Sequence, residues 1–590
     1  MKKRLGRVGG MLGGVIDELP RVGTAGSRSA QLHGEVGTQY DVDSEPTTDV
    51  VAHASNARKV FFLRLMGTVG ALLIGLGGLG AGAMPVVNNP YGDLPFGQLM
   101  GRMLVTSSAL VLIGVGLIVL AWVLMAPMVG NPIRLKPKPA DSNLQQLDKP
   151  KHSITRTQVW GTFFSWTVPI IATAPLFTQD IYSYIANGSI VVQGMDPYSA
   201  GPVQLLGADH DLARSVPFIW ANSPSPYGPV ALGIAAIISV VTNDSIVAGV
   251  ILHRIASILG VVAAGWAISK LATRCKVAPP AALWLGILNP LTILHLIGGI
   301  HNESILLGLA LVGMEFALRG IDKLRVFSEG LSDTGLRQLF GRENLTAWGP
   351  IFLGAVSISA AGMVKVTGFI GLGFTGMALA RLLHKQFMMR QATAIALAAG
   401  IFAIFMVLTI ATFTVLSGIG LGWITGQGGA ATIRSWLSIT TDLGVASGFF
   451  GMMLGLGDHT EAILSITRMV GVVIAAGFMV RMLFGTFRGV IHPIGGLGVS
   501  TLVLVILFPV VHPWYILWAV LPLAAWANRM FFRYAVIIYS TIMSFVVLPR
   551  GLGLPAGTVA QIYVSAAVGL AVLITIGWVV LRRNRERILD

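Results

Sequence analysis

The sequence has little charge. Asp, Glu, Lys and Arg make up 11% of its 590 residues, against 54% hydrophobic. A soluble globular chain keeps roughly a quarter of its residues charged, so this one has too few polar side chains to cover a water-facing globule. It has one cysteine, Cys275, which excludes an internal disulfide; that thiol reads as part of a turn. There is no His-Glu-x-x-His spacing, no Gly-x-Ser-x-Gly and no phosphate-loop signature, which leaves metalloprotease, serine hydrolase and P-loop readings without support. The alternating ten-residue pattern of an outer-membrane barrel is also absent.

What is present is apolar length. Mean hydropathy is +0.75, and runs of about 20 apolar residues, enough to cross a bilayer, recur along the chain. The expected fold is all-α, a polytopic integral membrane helical bundle with about 13–14 spans. Residues 1–56 read as a flexible cytoplasmic tail, whose basic start lacks the apolar core of a signal peptide. Residues 57–590 read as the transmembrane domain, with a large outer loop at 177–244. Within that loop, 228–243 is expected as a helix lying on or dipping into the outer surface. The stretch 281–300 reads as one helix. The stretch 347–382 reads as a pair, although one tilted helix would also fit. The run "GLGGLG" at 75–80 mimics a dinucleotide fingerprint but lies inside an apolar span, so it reads as helix packing.

The net charge of +15 does not call for nucleic acid, because basic loops mark the cytoplasmic side of a membrane protein. With both termini cytoplasmic, the inner segments hold 34 of the 41 Lys and Arg residues. The other seven are Arg102, Arg214, Arg254, Lys365, Arg434, Arg468 and Arg550, all on the outer side or in the outer half. A cation in the apolar zone costs about 2.5–3.5 kcal/mol on insertion scales and usually faces a cavity or a partner. Arg254 and Lys365 are the clearest cases; the plainer alternative for each is snorkelling to the headgroups or pairing with an acid.

Other polar residues gather at the same face. "FTQDIYSYIANG" places Asp180, Tyr182 and Tyr184 after an apolar run. "GGIHNES" places His301, Asn302 and Glu303 at a break between helices. "PVVHPWYILW" adds His512 and Tyr515, and "AATIRSW" adds Arg434. The aromatics also fit an interfacial belt, and Asp180 also fits a helix cap. The histidines and Glu303 are of types that suit zinc or manganese, but their separation is unspecific, so no cofactor is expected and a metal stays the minor alternative. Together the set suits a substrate with its tail in lipid and a phosphate-linked polar head. A cation stabilises a leaving phosphate, and a carboxylate takes the proton of an incoming hydroxyl.

"TQDIYSYIANGSIVVQGMDPYSAGP", "SPSPYGP", "LNPLTILHLIGGIHNES" and "HPWYILWAVLP" resemble the actinobacterial polyprenyl-phosphomannose-dependent α-(1→6)-mannosyltransferases, the MptA/MptB family, over roughly residues 60–580. The resemblance implies a GT-C glycosyltransferase fold in the cell membrane, with its active site on the outer face. It also implies a polyprenyl-phosphate-mannose donor and a glycolipid-borne α-(1→6)-mannan acceptor, in lipomannan and lipoarabinomannan synthesis. The family's acidic base in the first large outer loop matches Asp180. Glu303 stands where the family usually has Asp. On this reading the reaction is a single inverting displacement. Arg254, Lys365 and Arg434 hold the phosphate, and Tyr182, Tyr184, His301, Asn302, Glu303, His512 and Tyr515 shape the sugar and acceptor site. A lipid-linked-sugar flippase or secondary transporter is the alternative, and a scaffold subunit a third class.

Overall fold

A computed structural model of the chain describes residues 50–87, 89–129, 154–328, 339–426, 434–527, 529–551 and 553–583. Most of the expected tail lies outside them, but its last residues already belong to the first helix. The helices are α1 (Val50–Ala81), α2 (Leu104–Met125), α3 (Arg156–Thr167), α4 (Asp180–Val192), α5 (Pro229–Thr242), α6 (Ile246–Arg274), α7 (Pro279–Gly286), α8 (Glu303–Ser328), α9 (Leu345–Gly362), α10 (Ile370–Lys385), α11 (Gln391–Ser417), α12 (Ile439–Met453), α13 (Thr460–Arg488), α14 (Pro493–Leu507), α15 (Leu517–Ala524), α16 (Met530–Val546) and α17 (Ala556–Arg583). No strand occurs among the described residues. The fold is all-α and polytopic.

Nine helices among the described residues are long and apolar enough to cross a membrane. The five other expected spans are helical but short or interrupted, and proline explains most of the interruptions. The expected helix 281–300 stops at Gly286 and resumes as a π-wound turn over Thr292–Gly298. Pro290 disfavours helical backbone at Asn289 and supplies no N–H of its own. Pro169 sits where α3 tightens into a 3-10 turn. The stretch 347–382 is a pair: α9 ends at Gly362, and Lys365, with extended backbone, precedes the 3-10 turn that leads into α10.

The segment 177–244, expected as an outer loop, is largely helical. It contains α4, α5 and three short helices, Pro202–Leu206, Asp211–Ser215 and Phe218–Ala221. The helix expected at 228–243 is α5. α4 is buried on almost every face, packed against α5 and α6. α12 was not anticipated, because its stretch is too Gly- and Thr-rich to read as a span. Ser438 caps it, its Oγ accepting from the Thr441 amide at 3.2 Å.

Glycine sets the closest helix contacts. α1 crosses α2 at Gly70 and Gly114, where a Cβ on either would run into the other's carbonyl oxygen. The "GLGGLG" glycines do as expected: Gly77 abuts the Ser107 carbonyl on one side and Gly75 the Pro169 carbonyl on the other. Trp122 and Trp284 lock α2 to α7, each indole N–H donating to the other residue's carbonyl at 2.9 Å with the rings stacked at 4.9 Å.

Candidate active site

Asp180 is the first residue of α4, where unpaired backbone N–H groups favour a negative charge. The approach to it is held tightly. The Leu176 amide donates to Gly298 O at 3.0 Å and the Phe177 amide to Pro549 O at 2.7 Å. Phe177 adopts a left-handed φ of 70°, and so does Ile300 at 58° immediately before His301. A β-branched residue rarely takes that conformation. Such strain persists only where the surroundings over-determine it, and it clusters at functional sites.

Arg254 supplies much of that determination. It is fully buried, and its guanidinium donates to the carbonyls of Ile171 (2.7 Å), Thr173 (2.6 Å), Ala174 (3.1 Å), Ile297 (3.3 Å) and Gly298 (3.3 Å). It therefore ties the segment leading to Asp180 to the broken helix leading to His301. This corrects the expectation that Arg254 binds phosphate: its donors are spent on backbone and it lines no part of the cavity described next.

A cavity of about 270 Å³ opens beside Asp180, with Tyr184, Trp220, Tyr227, His301, Glu303, Lys365, Thr367, His512, Trp514 and Tyr515 among its walls. Trp220 Nε1 donates to Asp180 Oδ1 at 2.9 Å, and His301 Nδ1 lies 3.8 Å from Oδ2. The Asp180 side chain keeps 27% of its surface exposed. Lys365 Nζ donates to Glu303 Oε1 at 3.0 Å and to the Tyr515 hydroxyl at 3.1 Å. It also lies over the rings of Tyr515 (4.5 Å) and Trp518 (4.8 Å). Burial opposes the charge on Lys365, but Glu303, then Tyr515, hold its pKa above the usual lysine value. The ammonium is therefore held within an ion pair with Glu303.

Trp514 stacks between imidazoles, with ring centroids 4.1 Å from His301, 4.7 Å from His512 and 4.9 Å from His295. Burial drives the His512 pKa down to about 4 and also lowers that of His301, with Glu303 and Asp180 partly opposing the latter. Both imidazoles are neutral at neutral pH. Tyr184 and Tyr227 meet hydroxyl to hydroxyl at 3.2 Å. Gly228, next to Tyr227, admits the Met363 backbone at a distance no Cβ would allow. The Pro-Tyr-Gly-Pro turn therefore sits directly on the break that carries Lys365.

The cavity thus gathers Asp180, Tyr184, His301, Glu303, Lys365, His512 and Tyr515 from segments far apart in sequence. Three other expected site residues lie elsewhere. Tyr182 points away from the cavity, fully buried, donating from its hydroxyl to Ala83 O at 2.9 Å. Asn302 precedes α8, and its carbonyl accepts from the Ile305 and Leu306 amides. Arg434 is exposed and paired with Glu461. None of the three lines the cavity. Trp220, Tyr227, Thr367 and Trp514 were not anticipated as site residues. The one available signal was an aromatic within each Pro-rich turn. No group of three or more His, Cys, Asp or Glu able to hold a metal occurs among the described residues.

Comparison with known proteins finds relatives over most of the chain. Residues 64–381 match the family model described as alpha-(1→6)-mannopyranosyltransferase, N-terminal domain, and residues 440–575 match the MptB C-terminal domain. The chain is 59% identical to alpha-(1→6)-mannopyranosyltransferase B of Corynebacterium glutamicum, over 96% of this chain and 92% of that one. It is 40% identical to a probable alpha-(1→6)-mannopyranosyltransferase of Mycolicibacterium smegmatis, over 81% of each. It is 36% identical to an alpha-(1→6)-mannopyranosyltransferase of Mycobacterium tuberculosis, over 87% of this chain and 85% of that one. No solved structure matches.

Proposed function

The chain belongs to the α-(1→6)-mannopyranosyltransferase family, and we propose that it moves mannose from polyprenyl-phosphate-mannose onto an α-(1→6)-mannan carried by a phosphatidylinositol-mannoside-type glycolipid, in lipomannan and lipoarabinomannan synthesis. The reaction is an inverting single displacement. The acceptor 6-hydroxyl oxygen bonds to the anomeric carbon as the bond from that carbon to the phosphate oxygen breaks. The bonding pair leaves with polyprenyl phosphate, and the hydroxyl proton passes to Asp180.

The observation that carries this reading is one cavity holding a partly exposed carboxylate at a helix N-terminus and a lysine ion-paired with Glu303. Asp180 is the base. Its Oδ1 is occupied by the Trp220 indole, which leaves Oδ2 to take the proton. Lys365 meets the charge that develops on the phosphate. Among the described Lys and Arg residues it alone lines the cavity. Tyr184, His301, Glu303, His512 and Tyr515 shape the sugar site, and Trp514, stacked against the His301 and His512 rings, holds those imidazoles in place. The reading places this cavity on the outer face of the cell membrane, with both termini in the cytoplasm.

The test is purified protein in lipid, supplied with polyprenyl-phosphate-mannose and short α-mannoside acceptors, followed by linkage analysis. An α-(1→6) product, lost in Asp180→Asn, is the expected result. Movement of the donor across the bilayer without a glycosidic product would overturn it in favour of a transporter.

A further inference from the structure

A second, larger cavity, about 840 Å³, lies where α8, α10 and α13 end. α8 begins at Glu303 and α10 follows Lys365, so both helices run from the candidate active site to this cavity. α10 alone has 16 residues, roughly 24 Å of helix at about 1.5 Å per residue. The two cavities therefore sit at opposite ends of the same helices.

The distant cavity is basic on one side and apolar on the other. Among the described residues, Arg274, Arg325 and Arg381 line it with a single carboxylate, Asp322. Asp322 is already shared between Arg274 and Arg325. Behind it, Glu315 pairs with Arg274 and Arg319. Among the described residues the cluster therefore sets four guanidiniums against two carboxylates. Cavity-lining His492 adds no charge at neutral pH, since burial, then Arg274, hold its pKa down to about 4. Arg381 has no ion pair among the described residues, and its head rests over Gly489, where any side chain would collide with the guanidinium. Arg274 Nε is buried with no hydrogen-bond partner. Leu318, Ile321, Ala378 and Val490 form the apolar wall.

We propose that this cavity binds a phosphate-bearing anion, with the phosphate between Arg325 and Arg381, and that its source is the headgroup of an anionic membrane lipid. Arginine forks match phosphate oxygens two at a time, and basic pockets between membrane helices hold such headgroups. Three spans, α8, α10 and α13, end around the cavity, which sets it at headgroup level. The apolar wall gives the glycerol backbone and upper acyl chain a surface that a free phosphate would leave unused. The site goes beyond the proposed glycosyl transfer and uses none of its residues.

The experiment uses the full chain in nanodiscs of phosphatidylcholine alone or doped with cardiolipin, and native mass spectrometry counts the lipid retained after release. Wild type is expected to retain cardiolipin, and Arg325→Gln/Arg381→Gln to retain about tenfold less. Arg381→Lys should retain an intermediate amount, and Gly489→Leu should lose binding by displacing Arg381. Unchanged mannosyl transfer by the double variant in detergent reports that it is folded. If the double variant fails to fold, Arg381→Gln alone is read in the same way. In phosphatidylcholine discs, inorganic phosphate that raises the wild-type melting midpoint but not the variant's would keep the phosphate site and change its source from lipid to solution. Equal cardiolipin retention by wild type and variant, with no phosphate effect in either, overturns the proposal.

Discussion

Lys365 Nζ donates to Glu303 Oε1 at 3.0 Å, and this pair joins the break between α9 and α10 to the first residue of α8. Glu303 keeps 6% of its side-chain surface exposed and Lys365 22%. Removing one partner of such a buried pair leaves an uncompensated charge, typically at a cost of about 3–5 kcal/mol, whereas removing both is far milder. Glu303→Gln should therefore lower the thermal midpoint in detergent. Glu303→Gln/Lys365→Met should recover most of that midpoint but none of the transferase activity. Recovery of activity in the double variant would remove Lys365 from phosphate binding.

Asp180→Asn keeps the shape and the Trp220 contact but cannot accept a proton. Turnover should fall about 10²–10⁴-fold while donor binding, followed by a fluorescent polyprenyl-phosphate sugar, stays near wild type. Turnover within about threefold of wild type would place the base elsewhere.

Trp220→Phe deletes one hydrogen bond to a carboxylate, worth about 1.5–3 kcal/mol. Turnover should drop roughly 10–100-fold with little change in donor KM, because the ring still fills its place while Asp180 loses its orientation. A change confined to KM would show that Trp220 contacts substrate instead.

Arg254→Met should act on stability first. It strips donors from five carbonyls, four of them buried, around the turns before Asp180 and His301, so a loss of about 3 kcal/mol or more is expected. Arg434→Ala, at an exposed pair, should leave both melting midpoint and transfer within error. Normal melting with impaired donor binding in Arg254→Met would restore it as a phosphate ligand.

His512 provides the pH prediction. Its pKa falls from 6.5 to about 4 in the folded protein through burial. Below 6.5 the unfolded chain takes up a proton that the folded chain refuses. The stability contributed by the neutral imidazole is therefore complete above 6.5 and is lost as pH falls toward 4. The melting midpoint should decline across that window, and His512→Gln should flatten the decline. An unchanged slope in His512→Gln would assign the decline to other groups.

Apolar run length located nearly every long helix, because a bilayer-spanning segment must satisfy its own backbone and be apolar along its length. It could not resolve the helix broken between Gly286 and Thr292, where Pro290 matters more than hydropathy. It also misread α4, a buried helix that hydropathy does not distinguish from a loop rich in Tyr, Ser and Asn. At the site, the polar residues at breaks, Asp180, His301, Glu303, Lys365 and His512, do converge. Arg254 shows the limit of that logic. A buried cation serves a backbone turn as readily as a ligand, and only the carbonyls around it tell which. Trp220 and Tyr227 were hidden because their place depends on how the Pro-rich turns fold back over α4.

The contact between Gly228 and Met363 has an effect at a distance from any substrate. Two turns from remote parts of the chain meet there backbone to backbone, so the wall bearing Tyr227 and the wall bearing Lys365 behave as one splinted piece. A methyl group at position 228 would act as a wedge, prising those walls apart and enlarging the chamber without altering any side chain inside it. On the proposed reading, the size of sugar the chamber takes would thus depend on a residue outside its walls.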